Sequence, residues 1–290
     1  MRITVLGCGA TYGVPIAGGV WGRCDPSNPK NERMRPSVLV FEDQRSLMID
    51  IGPDFRRQTT KAKIVPDAIV ITHGHWDHIA GIGELPYYME MALRRNLDIY
   101  ADDATMKCVV GMFPYLFAHE VVATDTRTIS FGDDDEYRII WHRIRAGEAF
   151  EANGFHVLPF SQHHGGSDSL GLRIRNFVYS PDVKSFPTES LPLLSNIETW
   201  MLDCDYWEPS SSHGDPRTVV ELVDRFAPKR VFLTHMDEKM DYATLQSWFE
   251  DRGYGQVAPA FDGMEISIPE TTEVAGMSAL QSVRTDVGRL

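Results

Sequence analysis

Cysteine is scarce in this 290-residue chain: Cys8, Cys24, Cys108 and Cys204 stand far apart, and no two form a Cys-x-x-Cys pair. Such spacing excludes a disulfide framework, and it reads as four unlinked thiols serving as small buried apolar residues in a reducing compartment. Long apolar runs are also missing. None approaches the roughly 18 residues of a membrane span, so no membrane partner is expected. The opening Met1-Arg2-Ile3-Thr4-Val5-Leu6-Gly7-Cys8-Gly9 is broken by glycines and reads as a first strand rather than a signal peptide, which points to a cytoplasmic location. Basic residues are in deficit, 28 against 41 acidic, for a net charge of −13. A negative far field repels a phosphate backbone, so the expected partner is a small molecule and not nucleic acid. A homodimer remains an allowed assembly.

What is present is an ordinary globular composition, 43% hydrophobic and 24% charged. At this size folding buries about 75% of the extended-chain surface, enough to house a deep site. Apolar, β-branched runs predict strands at 2–7, 37–41, 46–51, 67–72, 97–101, 137–144, 154–161, 171–179, 198–204 and 230–234. Helical periodicity predicts helices at 82–94, 102–112, 216–226 and 241–251. Asp215 and Pro216 suit the cap and first turn of the third of these. The stretch 8–35, rich in Gly, Pro and Asn, is too long for a simple connection. Strands and helices mixed in this way suggest one layered α/β domain over 1–269 and a loose polar tail over 270–290.

The most informative feature is His73-Gly74-His75-Trp76-Asp77-His78. Imidazole and carboxylate are ligands that zinc, manganese and iron accept. Alternate residues of an extended segment point the same way, so His73 and His75 can share one cation. The turn into the helix that follows redirects Asp77 and His78 toward a second position. A buried strand also runs into Thr-His twice, at Thr72-His73 and Thr234-His235, as two similar halves would require.

On the His-x-His-x-Asp-His motif the chain resembles the metallo-β-lactamase superfamily. That resemblance implies a four-layer αββα sandwich with two divalent metal ions, Zn or Mn, at the edge between the sheets. It further implies that later strands deliver a histidine, a bridging aspartate and a final histidine. The matching positions are His164 in Ser161-Gln162-His163-His164-Gly165, Asp182 in Tyr179-Ser180-Pro181-Asp182, and His235. One ion would then take His73, His75 and His164, the other Asp77, His78 and His235, with Asp182 between them. Spacing leaves His163 and His164 open, because neighbours on a strand point oppositely; the superfamily's His-Gly pattern favours His164.

More of the chain, from residue 1 to about 268, is similar to the branch of phosphoribosyl cyclic phosphodiesterases of phosphonate breakdown. The similarity rests on Gly7-Cys8-Gly9-Ala10-Thr11-Tyr12-Gly13-Val14-Pro15, on Met48-Ile49-Asp50-Ile51-Gly52-Pro53-Asp54-Phe55-Arg56, on Leu233-Thr234-His235-Met236 and on Phe261-Asp262-Gly263-Met264-Glu265. It implies a hydrolase of small cyclic or nucleotide-like phosphodiesters that works through a metal-bridging hydroxide. Thioester, lactone and β-lactam hydrolases, RNA-processing nucleases and metal-binding accessory proteins are the rival readings. The branch's cysteine-rich first loop is reduced here to Cys24, so no structural zinc is expected. Asp77 and His213 are the catalytic candidates, His213 standing where the branch places a histidine over the metals. Asp50 and Asp54 are candidates to orient ligand imidazoles, and Asp54 is alternatively a helix cap. His119, His142 and His156 read as structural, and Asp133-Asp134-Asp135-Glu136 as a solvated turn.

Overall fold

The computed structural model describes residues 1–117, 120–130 and 137–269. Sixteen strands form two sheets among these residues. In the first half they are β1 (Arg2–Gly7), β2 (Ser37–Glu42), β3 (Arg45–Ile49), β4 (Ala68–Val70), β5 (Leu97–Ala101), β6 (Glu120–Val122), β7 (Thr126–Ser130) and β8 (Arg138–Arg143). The second half supplies β9 (Phe150–Ala152), β10 (Phe155–His164), β11 (Ser167–Ile174), β12 (Phe177–Ser180), β13 (Thr199–Asp203), β14 (Arg230–Thr234), β15 (Val257–Pro259) and β16 (Glu265–Ser267). One sheet runs β16-β1-β2-β3-β4-β5-β8-β7-β6 and the other β15-β14-β13-β12-β11-β10-β9. Helices α1 (Phe55–Ala62), α2 (Trp76–Ile79), α3 (Leu85–Tyr88) and α4 (Asp103–Met112) accompany the first sheet, and α5 (Pro216–Phe226) and α6 (Tyr242–Glu250) the second.

Strand periodicity explains the layering. Along β2 and β3, Val38, Val40, Leu47 and Ile49 enter the core shared with Phe160, Leu172 and Trp200 of the other sheet. Their neighbours Leu39 and Met48 enter a separate core with Phe55, Ile79 and Met106 from the helices. A period of two thus gives each central strand one face toward the opposite sheet and one toward helices. The result is the expected αββα sandwich.

Several boundaries differ from the sequence reading. The single strand expected over 171–179 is a hairpin, because Arg175 takes a positive φ of 55° and turns β11 into β12. The expected helix at 82–94 is composite, with α3 flanked by tight 3-10 turns at Ala80–Glu84 and a π-helical turn at Met89–Leu93. Helix α1 was expected only as the helix that follows Asp54, without bounds, and the short strands β6, β7, β9, β15 and β16 were not anticipated. The four thiols are unlinked. Cys8, Cys24 and Cys204 are buried, but Cys108 is exposed on α4 and is not a core residue. The expectations for His119, for the run 133–136 and for the tail 270–290 lie outside the described residues.

Candidate metal centre

Strand β4 ends at Val70, and the chain continues extended through Thr72 before α2 begins at Trp76. His73, Asp77 and His78 are thereby buried against the ends of β10, β12 and β14, while His75 stays exposed. His164 comes from the end of β10, Asp182 from the turn after β12 and His235 from the turn after β14. Asp182 and His235 both hold positive φ, 49° and 59°, as does Asp50 at 64°. Such backbone is costly for residues with side chains and persists where surrounding structure fixes it, often at functional positions.

The side chains converge in two groups that share Asp182. In one, donor atoms of His73, His75, His164 and Asp182 all lie within 4.8 Å of one another; in the other, those of Asp77, His78, Asp182 and His235 do. His164 Nε2 is 3.2 Å from His75 Nδ1 and 3.6 Å from Asp182 Oδ1. His235 Nε2 is 3.3 Å from Asp77 Oδ2 and 3.2 Å from Asp182 Oδ1. All seven residues expected to hold metal are therefore neighbours. His163 is half exposed and pairs with Asp168 at the surface.

The surroundings fix which atoms face inward. His164 Nδ1 is 2.9 Å from the Ser212 carbonyl, which only accepts, so Nδ1 carries the hydrogen and Nε2 presents its lone pair to the centre. Asp50 does the same for His78: its Oδ2 lies 2.8 Å from Nδ1, while Thr72 donates to Asp50 through both its backbone N–H and its hydroxyl. His78 Nε2 then faces Asp182 Oδ2 across 3.0 Å without the alignment of a hydrogen bond. His73 Nε2 is likewise buried and without a hydrogen-bond partner. Lone pairs facing one another in a buried space repel unless a cation lies between them. The donor set, all nitrogen and oxygen, fits divalent zinc or manganese.

The electrostatics follow from this crowding. Burial, with the charge of His78 behind it, pushes His73 well below the ordinary imidazole value. Burial opposes ionisation of Asp77, but His78 and the hydrogen bond from His235 outweigh it and hold this carboxyl far below its usual range. Asp182 is held down in the same way, burial being overcome by His235, His78 and His73. For His78 and His235 burial is overcome by carboxylates, Asp182 foremost, and both are raised.

His213 adjoins the centre. Its ring stacks on His235 at 4.8 Å, its Nδ1 lies 2.9 Å from Asp203 Oδ2, and its Nε2 is 3.7 Å from Asp205. Burial is outweighed by Asp203, so His213 is raised above its ordinary value. Asp50 stands where an orienting acceptor was expected, but Asp54 does not: its carboxylate accepts from the Arg35 backbone and guanidinium and makes no cap to α1. His142 and His156 pair with Asp98 and Glu151 away from the cluster. Thr72, Asp203, Asp205 and the Ser212 carbonyl were missed. An aspartate at the end of a buried strand, Asp50 just after β3 and Asp203 closing β13, was the available signal.

The model of the β-lactamase superfamily domain matches residues 45–236, and the chain belongs to that superfamily. The two-sheet sandwich is the metallo-β-lactamase fold, and its grouped histidines and aspartates suit divalent metal. The chain is 27% identical to a diphosphatase from the PhnP family, covering 94% of this chain and 99% of that one with a TM-score of 0.78. It is 23% identical to an octanoyltransferase of Porphyromonas gingivalis over 93% of this chain but 52% of that protein. The short form of human tRNase Z, 18% identical, shares the fold at a TM-score of 0.63 over 93% of this chain and all of that one. This chain spans about half the length of the curated relatives it matches. No helix among the described residues is long and apolar enough to cross a membrane.

Proposed function

We propose that this protein is a phosphodiesterase of small cyclic or nucleotide-like phosphodiesters that works with two divalent metal ions, Zn or Mn. The observation that carries the reading is Asp182, buried between two groups of donors whose lone pairs converge on it. His73, His75 and His164 would hold one ion and Asp77, His78 and His235 the other, with Asp182 common to both. Cations bound there would lower the pKa of water from about 15.7 toward about 7 and offset charge on the phosphoryl oxygens. Hydrolysis joins a water oxygen to phosphorus and breaks the bond from phosphorus to the leaving oxygen, which departs with a proton. His213, tethered through Nδ1 to Asp203, has Nε2 left to deliver that proton. Asp77, ionised between His78 and His235, orients the second group of donors.

The likeness to the PhnP-family diphosphatase supports phosphorus chemistry, and the net charge of −13 favours a small substrate over a polynucleotide. The match to the octanoyltransferase makes an acyl thioester the second reading. Rates on bis(p-nitrophenyl) phosphate, an acyl thioester, a lactone and a β-lactam decide between them. Phosphodiester turnover that falls at least a hundredfold in both Asp182→Ala and His75→Ala is expected; full activity in these variants would overturn the proposal.

A further inference from the structure

The motif that supplies four donors also carries an aromatic ring that the donors do not use. Trp76, between His75 and Asp77, is 44% exposed in a segment where His73, Asp77 and His78 are buried. It follows His75, the one of the seven donors that is exposed. Exposing an indole forfeits apolar burial, and here it is one of the larger exposed apolar side chains of the described residues. The ring is not loose. The Arg35 guanidinium carbon lies 5.6 Å from its centroid, and Arg35 is itself fixed by Asp54 at 3.1 Å and by the Thr11 carbonyl at 3.4 Å. Arg35 thus backs one side of the indole in a held arrangement, Asp54 to Arg35 to Trp76. Tyr12, 71% exposed, follows the Thr11 that Arg35 grips.

We infer that Trp76 is a stacking platform for a flat heterocycle on the substrate, so that the preferred phosphodiesters carry a nucleobase, purine ahead of pyrimidine because it covers more of the indole. Arg35 is the positioning residue: it touches no substrate and acts by holding the ring. The ion pair with Asp54 explains why that carboxylate is absent from the metal centre although it follows the same strand as Asp50. An aromatic platform tolerates any base, since each has a π face, and gives selectivity for base-bearing over base-free esters. The inference rests on the phosphodiesterase reading for its phosphate.

Calorimetric titration of the metal-loaded protein with AMP and with ribose 5-phosphate isolates the base, because the two ligands share sugar and phosphate. Wild type is expected to bind AMP about tenfold or more tighter, within the range that stacked bases contribute. Trp76→Phe keeps most of that preference, whereas Trp76→Leu, apolar but without a π face, brings the two ligands to parity. Equal affinities in wild type, no binding of AMP at millimolar concentration, or a preference that survives Trp76→Leu would each overturn the inference. Failure of the phosphodiesterase reading shows separately, as absent cleavage of nitrophenyl phosphodiesters.

Discussion

Asp50 shows how a residue outside the donor set can govern it. It sits at a left-handed backbone position, takes two hydrogen bonds from Thr72, and fixes the His78 tautomer through Nδ1. Asparagine tolerates that backbone, so Asp50→Asn keeps the shape while removing the charge. Metal titration of Asp50→Asn is expected to show affinity about 10- to 100-fold weaker, with an unchanged circular dichroism spectrum. Asp262, outside the donor set, reports on burial instead. Its carboxylate accepts from the Cys8 and Met34 backbone N–H groups, yet burial pushes its pKa from 3.8 up to about 7. Between those two values the folded state binds more protons than the unfolded state, so this group's contribution to stability falls as pH rises from about 4 to about 7 and is level above that. Urea unfolding at several pH values is expected to show this slope in wild type and its loss in Asp262→Asn, read as the difference between the two proteins.

At the scale of elements, caps and close approaches decide where the donors stand. Asp215 caps α5 by accepting from the backbone N–H groups of Arg217 and Thr218. Asp215→Ala is expected to lower unfolding free energy by about 1 kcal/mol in denaturant titrations. Gly52 lies against the carbonyl of Asp77, where an added Cβ would stand 2.1 Å from the oxygen. Gly52→Ala must displace backbone and is expected to cost about 1–3 kcal/mol and to weaken metal binding, because the element it pushes carries Asp77 and His78. The helix α5 was legible because Asp215-Pro216 marks its start and its apolar periodicity runs unbroken to Phe226. The central strands were legible because both their faces are apolar. Strands β6, β9, β15 and β16 were not, since three residues carry too little periodicity and their pairing is fixed by partners distant in sequence. Arg175 hid a hairpin inside one apolar run, because a non-glycine residue at positive φ leaves no mark in composition.

For the whole molecule, the donors are split between the halves. His73 to His78 belong to the first sheet's strand ends and His164, Asp182 and His235 to the second's, so a cation held between them ties the two sheets together. The His-x-His-x-Asp-His motif was legible because four donors fall within six residues. The convergence of the others was legible only through resemblance, since nothing local to Asp182 distinguishes it from a turn aspartate after proline. Asp203 and Asp205 escaped because their partner His213 is met only in three dimensions. Binding to the native state alone raises stability with ligand concentration, by about 2.7 kcal/mol at a hundredfold excess over Kd. Thermal unfolding of chelator-stripped protein is expected to shift upward as Zn or Mn is added, and a shift much reduced in His235→Ala is expected from the loss of one sheet's contribution.

The most direct measurement is hydrolysis of bis(p-nitrophenyl) phosphate by stripped protein as divalent metal is returned in known equivalents. The account predicts a rate that starts at background and saturates near two ions per chain. Full turnover before any metal is added, or none at any loading, would contradict it.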